Sequence, residues 1–550
     1  MVARSFALSL AAGALAPVCA LAQSSTPAPI EQVQLSELNV WTVGALSRAD
    51  GALPNDIWNR SDAAVLAGAF DQLPSVYDSP AMQALARRVL LSAAEPPSGD
   101  ASVAARKRYE ALGKMGAADE LAIMAAGAGA SASDVAIAQY AAQAELARGR
   151  RAEACARGRN ANVGEDIPAF LLRLRAYCAA VTGDRAAADL ALELARTQNA
   201  ADAWYTAAVA AAGGAPGARP PAARYDNSLS TQLSIAGQLR PPRNNALANS
   251  STLALVALAR AENAPQPQRA QAAALAFRRG VLSAAEARSI LAATPAETTT
   301  GLPPLATALR RIAAVAPPPA AAGSEAATVS ALETASAITE ALRQARTPAD
   351  FQATARFFLT EIRSSPVAPD TAGAVLLARA AIAAGDVELG QRLVGDARQA
   401  GADEIVLAPL EAGLAALTGA HLNAEAMVLQ RRIDRSARQQ ARTAARDVAI
   451  LTALGAPVNE SVQMFLTANP PQGGAAANAE TLAALASAVE RRAVGEGALF
   501  AVAAAGQGGP AHLDAQSLTQ IIAALRALGL EDEARRIAAE AILAGAPPAS

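Results

Sequence analysis

Apolar residues recur three and four positions apart along most of the chain, in short segments separated by glycine, proline or polar residues. This spacing puts the apolar side chains on one helix face and predicts short amphipathic helices joined in hairpins. The clearest internal repeat aligns three glycines, Gly183, Gly385 and Gly529. Small residues lie five positions before and after each glycine, and apolar residues lie eight and twelve positions after it: Cys178, Ala188, Ala191 and Ala195; Ala380, Gly390, Leu393 and Ala397; Ala524, Ala534, Ile537 and Ala541.

The spacing around these glycines has a simple physical interpretation. Glycine ends a helix in the left-handed conformation without the steric cost of a Cβ atom, and Asp184 and Asp386 follow where an N-cap would start the next helix. Small residues on both sides let the two helices cross closely. The pattern predicts an all-α fold, an irregular α-solenoid of stacked helical hairpins of tetratricopeptide-like type. Helical hairpins within a non-repetitive all-α domain are the alternative.

Stretches rich in proline and glycine divide the chain. Proline removes a backbone donor and restrains the residue before it, so helices are expected to stop there. We predict this organisation along the chain: signal peptide 1–22, extended N-terminal arm 23–53, N-terminal helical-repeat region 54–213, Pro-rich linker 214–246, helical segment 247–302, Pro/Ala-rich linker 303–324, central helical-repeat region 325–468, linker 469–476 and C-terminal helical hairpins 477–546.

Composition narrows the possible function classes. Alanine dominates an apolar fraction of 52% and aromatic residues make up only 3%. Because alanine favours helix over strand, a sheet-rich fold is excluded. The net charge is −2, whereas proteins that bind nucleic acids usually carry a basic excess, so we expect no nucleic-acid partner. Lys107 and Lys114 are the only lysines among the 47 basic residues, which together with the alanine content is typical of a high-GC bacterial genome.

The N-terminus has the features of a secretory signal peptide. Arg4 supplies a positive start, an apolar segment too short to span a bilayer covers 6–16, and Ala20-Leu21-Ala22 forms a cleavage site before Gln23. No later stretch is apolar enough to span a membrane, so no transmembrane segment is expected after cleavage. We therefore expect a periplasmic protein.

The residues needed for most catalytic chemistries are missing from the sequence. The two histidines, His421 and His512, lack the surrounding residues of a triad. Two histidines and two mature cysteines at these spacings do not predict a zinc site, and no phosphate-binding glycine loop is present. We expect no catalytic residues, no cofactor and no metal.

Glu460 is the one carboxylate that suggests a catalytic alternative. Asn459-Glu460-Ser461 opens an apolar helix, as at the catalytic entrance of soluble lytic transglycosylases, which also contain Ala-rich helical solenoids. The glycine-rich substrate loop of that family is missing downstream. The simpler interpretation is an Asn459 N-cap with Glu460 in the first turn, where the helix dipole favours a negative charge.

Cys155 and Cys178 are the only cysteines left after cleavage. In an oxidising compartment an even pair is usually bridged, so a disulfide is predicted, with two buried free thiols as the alternative. Both positions are predicted to lie late in successive helices, which simple antiparallel packing would not bring together. The segment 158–164 would have to run back along the first helix.

The longest polar feature lies within 430–446. Its arginines follow spacings of four, three, four and four, which places them on one helix face: Arg431, Arg435, Arg438, Arg442 and Arg446. Arginine forks suit carboxylate and phosphate groups. This face is a candidate docking site for an anionic glycan, a lipid head group or an acidic protein surface, and a solvated helix face is the alternative.

The segment 58–197 resembles a group of Ala-rich exported proteins of alphaproteobacteria. The matching residues are Trp58, Leu73-Pro74, the run Arg87 to Ser92, Pro96-Pro97, Ala154-Cys155, and Tyr177 to Ala180 leading into Gly183-Asp184. The resemblance implies that Cys155 and Cys178 both belong to the group's pattern, which favours their pairing. It implies no activity.

Three function classes follow from these observations. The first is a non-catalytic periplasmic helical-repeat scaffold or binding protein for envelope components, either envelope proteins or an anionic glycan, because stacked hairpins form extended concave surfaces. The second is a peptidoglycan- or glycan-active envelope enzyme with Glu460 as its acid. The third is a structural envelope protein that assembles with itself.

Overall fold

Helices follow one another along almost the entire described chain. The computed structural model describes residues 39–164, 167–217, 219–242, 247–295, 302–315, 325–364, 368–420, 422–424 and 438–546. Within these ranges there is no β-strand, and extended pairing is confined to two isolated bridges, Asp62 with Ser98 and Ala475 with Leu513. The predicted all-α helical-repeat class is confirmed. The tetratricopeptide-like type stays a prediction.

The α-helices are numbered in chain order. The first half contains α1 Ala63–Asp71, α2 Pro80–Leu91, α3 Ser102–Met115, α4 Ala118–Gly127, α5 Val135–Ala147, α6 Arg151–Asn160, α7 Ala169–Val181, α8 Arg185–Thr197, α9 Ala203–Ala212, α10 Ser228–Ala236, α11 Thr252–Arg260, α12 Gln266–Arg278 and α13 Ala284–Ala292. The second half contains α14 Pro304–Val315, α15 Glu325–Arg343, α16 Pro348–Phe357, α17 Leu359–Ser364, α18 Thr371–Ala383, α19 Val387–Gln399, α20 Glu404–Thr418, α21 Arg438–Ala453, α22 Glu460–Ala468, α23 Ala479–Arg491, α24 Val494–Ala505, α25 Ala515–Ala527 and α26 Glu531–Ala544.

The three aligned glycines lie at hairpin turns, as predicted. Gly183, Gly385 and Gly529 have φ angles of 81°, 83° and 78°, in the left-handed region that favours glycine. They separate α7 from α8, α18 from α19 and α25 from α26. Asp184 and Asp386 are N-caps, and each accepts a hydrogen bond from the backbone N–H three residues later, at 3.0 and 3.1 Å. Local sequence therefore determines these turns.

Small residues bring the paired helices close together. Gly390 of α19 faces Ile382 of α18, and a Cβ atom on Gly390 would lie 2.8 Å from the Ile382 Cγ1 atom. Ala380 and Ala397, from the same repeat, are fully buried. The alanine-rich interfaces therefore allow a backbone approach that larger side chains would prevent.

The first helices and the last helices of the described chain pack against each other. Gly495 in the first turn of α24 lies against the Trp58 ring, and its N–H donates to the Ile57 carbonyl at 3.2 Å. Asp78 N–H donates to the Gln507 carbonyl at 2.9 Å. One cluster of buried apolar side chains combines residues from 40–144 with residues from 412–542, while a second runs through 118–414. The array of hairpins is closed rather than open-ended.

Two predicted linkers contain helices. Helix α10 lies within 214–246 because Asn227 and Ser230 form a capping box at its start and the chain is free of proline between Pro221 and Pro241. Its apolar residues are buried against neighbouring helices. Helix α14 occupies most of the described part of 303–324, with its prolines at the start and after the end. The organisation predicted from proline content is wrong in these two segments.

The described part of the N-terminal arm, 39–53, is a set of turns packed into the core. Trp41 is buried and meets Trp58 edge to face, with ring centroids 6.1 Å apart. The fully buried Arg108 donates hydrogen bonds to the backbone carbonyls of Val40, Leu90 and Ser92 at 3.1, 2.9 and 2.7 Å. Interactions from α3 therefore fix this segment in place. The signal peptide and residues 23–38 of the arm lie outside the described ranges.

Among the helices that the structure describes, none combines the length and the apolar character needed to cross a membrane.

Candidate ligand cavity

A cavity of about 1490 Å³ lies among helices that are distant in sequence. Helices α2, α16, α18 and α26 form most of its wall, together with residues at the ends of α12 and α15. Closure of the array creates this cavity, since α2 and α26 come from opposite ends of the chain. Arginines outnumber carboxylates in its charged lining, which consists of Arg87, Arg88, Arg278, Arg343, Arg346, Arg356, Arg379, Arg536, Asp50, Asp532, Glu533 and Glu540.

Several of these arginines are engaged in holding the helices together. Arg87 pairs with Glu120, and Arg88 joins α2 to α26 by pairing with Glu533. Arg278, at the end of α12, pairs with carboxylates before α2 and on α16, at 2.8 and 2.7 Å. Arg343 lies 3.7 Å from a carboxylate at the start of α18. These side chains shape the cavity wall.

Arg379 is half-buried in the wall between α18 and α26. Its Nη2 atom donates to the Leu543 carbonyl at 2.7 Å, and its guanidinium lies over the Phe351 ring, 5.0 Å from the centroid. Burial lowers the pKa of Arg379 from its ordinary value. Arginine nevertheless stays charged in proteins, so Arg379 contributes a positive charge at the cavity wall.

Three further arginines line the cavity without a partner in the described ranges. Arg346, Arg356 and Arg536 are all exposed. None of the three takes part in a hydrogen bond, ion pair or ring contact with another described residue through its guanidinium. They come from the α15–α16 turn, from α16 and from α26. The cavity therefore presents positive charge that no side chain in the described part of the protein neutralises.

Glu540 has a buried carboxyl group in the same cavity wall. Its Oε2 atom accepts the Ala81 N–H at the start of α2, at 2.9 Å, while its Oε1 atom is buried without a hydrogen-bond partner. Burial raises the pKa of Glu540 to about 7, although Ser79 and the Ala81 N–H oppose the shift. This carboxyl group therefore titrates near neutral pH within the contact that closes the array.

The predicted arginine face does not lie in this cavity. Arg431 and Arg435 lie outside the described residues, as does the side chain of Arg438, and Arg442 is half-buried on α21. Arg446 donates from Nη1 to the Ala541 carbonyl and from Nη2 to the Pro510 carbonyl, both at 3.0 Å. Burial lowers its pKa. Arg446 is therefore a packing contact between helices and not part of an open docking face.

The other residues singled out by sequence have plain structural positions. Asn459 caps α22 by accepting the Val462 N–H at 2.9 Å, and Glu460 is exposed in the first turn, as the simpler interpretation predicted. His512 is exposed at the cavity lining. His421 lies outside the described residues.

Cys155 and Cys178 form a disulfide, with their Cα atoms 5.9 Å apart. The geometric difficulty expected from the sequence does not arise, because Cys155 lies in the middle of α6 and not near its end. Cys178 lies in the last turn of α7. The bridge ties these two helices together and is not part of the cavity lining.

Within the described ranges, no group of three or more His, Cys, Asp or Glu side chains could hold a metal ion.

No protein-family model, curated protein or solved structure matches the chain. The cavity arginines escaped the sequence analysis because they are spread from Arg87 to Arg536 and share no spacing. Among them, the sequence analysis named only Arg87 and Arg88, as residues that match the Ala-rich exported proteins.

Proposed function

We propose that this protein is a non-catalytic, exported helical-repeat binding protein that takes up a component of the bacterial envelope in the cavity formed where its array of hairpins closes. The observation that carries the proposal is the set of three exposed arginines without described partners, which line a cavity of about 1490 Å³. Small-molecule pockets usually measure roughly 300–1,000 Å³. The cavity is therefore suited to part of a larger ligand.

Export is part of this proposal, with cleavage before Gln23 and function in the periplasm. The disulfide between Cys155 and Cys178 supports it, since structural disulfides persist mainly in oxidising compartments. The proposal also carries over the resemblance of 58–197 to exported alphaproteobacterial proteins.

The test is retention of periplasmic components on the immobilised chain that starts at Gln23. Ala84 of α2 is exposed and lines the cavity, so Ala84→Trp should fill part of it and reduce retention. Ala186 of α8 is also exposed but lies away from the cavity, so Ala186→Trp is a matched control that should leave retention unchanged. Equal retention by both variants would contradict binding in the cavity, and recovery of chemically altered material would contradict a non-catalytic function.

A further inference from the structure

The charged groups of the cavity are unequally engaged. On the acidic side, Glu533 pairs with Arg88 and Glu540 accepts the Ala81 N–H. Asp50 accepts the Ser47 hydroxyl at 2.5 Å, and Asp532 lies 3.9 Å from an arginine on its own helix. Glu533 and Glu540 are therefore engaged within the fold. Asp50 and Asp532 are exposed and have only local contacts, and Arg346, Arg356 and Arg536 have no partner in the described ranges. The ligand that complements this lining carries carboxylate or phosphate groups.

The glutamine and threonine side chains of the lining are engaged in the fold, whereas His512 is exposed. The Gln83 amide donates to the Arg279 carbonyl, and the Gln352 amide donates to the Ala383 carbonyl at 2.8 Å. The Thr347 hydroxyl donates to the Asp350 carboxylate at 2.9 Å. A glycan, whose surface is covered with hydroxyl groups, would find few free neutral partners here.

The two phenylalanines of the lining offer no free platform for a sugar ring either. Phe277 is buried, and Arg379 covers the Phe351 ring. The accessible apolar part of the lining is aliphatic and includes Leu46, Val387 and Leu417, which are all half-buried. Such a surface suits the apolar side chains of a peptide.

We infer that the ligand is an acidic peptide segment of another protein, one in which carboxylate and aliphatic side chains alternate. Its carboxylates pair with Arg346, Arg356 and Arg536, and its aliphatic side chains lie on the leucine and valine residues of the lining. The inference rests on the proposed function, because it assigns a ligand class to the same cavity. Its observations are the unpaired arginines beside a lining whose amides and aromatic rings are already engaged.

The experiment measures fluorescence anisotropy of a labelled peptide of alternating glutamate and leucine with the chain from Gln23 onward, at physiological salt. A peptide of glutamine and leucine and an oligomer of galacturonic acid serve as the comparison ligands. We expect the acidic peptide to bind at least about tenfold more tightly than either. Tighter binding of the galacturonic acid oligomer would overturn the inference in favour of a glycan.

Variants test whether the arginines themselves bind the peptide. Combined replacement of Arg346, Arg356 and Arg536 by glutamine should weaken binding by about tenfold or more, because it removes three charge-assisted hydrogen bonds to the carboxylates of the peptide. A control removes the same charge from exposed arginines outside the cavity: Arg150, Arg159 and Arg240. An equal loss in the control would overturn the inference, since binding would then follow net charge alone.

The failure of this inference is distinguishable from failure of the proposed function. If the acidic peptide does not bind but Ala84→Trp still reduces retention of periplasmic components, the ligand class is wrong and the cavity remains the binding site. If Ala84→Trp changes neither measurement, the cavity itself is not the site.

Discussion

Glu540 offers a direct test of how the array closes. Its carboxyl group is buried between α26 and the start of α2, with Oε1 unpaired and Oε2 on the Ala81 N–H. Replacement by glutamine keeps an oxygen acceptor for Ala81 and removes the ionisation. The substitution therefore isolates the effect of a buried charge at the contact between the two ends of the chain.

The magnitude follows from the pKa of Glu540, which burial raises from 4.5 to about 7. Below pH 4.5 the group is protonated in both the folded and the unfolded chain, so stability does not depend on its titration. Between pH 4.5 and 7 only the folded chain keeps the proton, and stability falls as the pH rises. Above pH 7 the accumulated loss amounts to about 3 kcal/mol.

Urea unfolding midpoints of the wild-type chain and Glu540→Gln, measured from pH 4.5 to pH 8, test this reasoning. We expect similar free energies of unfolding at pH 4.5 and a difference in favour of the variant that grows to about 3 kcal/mol at pH 8. At pH 8, hydrogen exchange in α2 and α26 should be slower in Glu540→Gln than in the wild-type chain.

The other carboxyl groups whose pKa values are shifted, such as Asp119 and Asp386, are shifted downward from 3.8 and titrate below this window. Glu533→Gln serves as the contrasting variant, because it removes the ion pair with Arg88 and should destabilise the same interface at pH 8. A difference between wild type and Glu540→Gln that is constant across the range, or that favours wild type at pH 8, would refute the argument.

Three further predictions concern stability. Gly495→Ala should destabilise the chain by about 1–3 kcal/mol, because the new Cβ atom overlaps the Trp58 ring. Gly395→Ala meets open space within α19 and should stabilise the chain by about 0.5–1 kcal/mol. Thermal melts of both variants test this pair of predictions, and equal effects would contradict them. Cys178→Ser should remove about 3 kcal/mol, since the bridge closes a loop with a sequence separation of 23, and hydrogen exchange should rise in α6 and α7 but not in α26; unchanged exchange in α6 would refute a stabilising bridge. Arg108→Met should remove about 3 kcal/mol by leaving three backbone carbonyls unpaired, measured by urea unfolding, and a loss below about 1 kcal/mol would show that water replaces the guanidinium.

Local sequence was sufficient to predict the helical class and the hairpin turns. Gly183 and Gly385 need the left-handed conformation, and Asp184 and Asp386 cap the helices that follow, so the information lies within a few residues of each turn. The N-cap at Asn459 was predictable for the same reason. The disulfide was predicted from the expected compartment and the number of cysteines. The structure added that Cys155 lies in the middle of its helix.

Proline content was a poorer guide to the linkers. Proline stops a helix where it stands but does not prevent one from forming between two prolines. Thus α10 and α14 lie in segments that composition alone marked as linkers.

Only the tertiary structure decided which arginines line the same cavity. The regular spacing from Arg431 to Arg446 predicted a shared helix face, yet Arg446 donates to the backbone of two distant segments, because a face of one helix is exposed only where no neighbour packs on it. Arg346, Arg356 and Arg536 share a cavity because the last helix packs against α2, and no periodicity within one helix encodes that contact. The charge state of Glu540 has the same origin: a glutamate acquires a pKa near 7 when distant helices bury it, and burial is a property of the closed array.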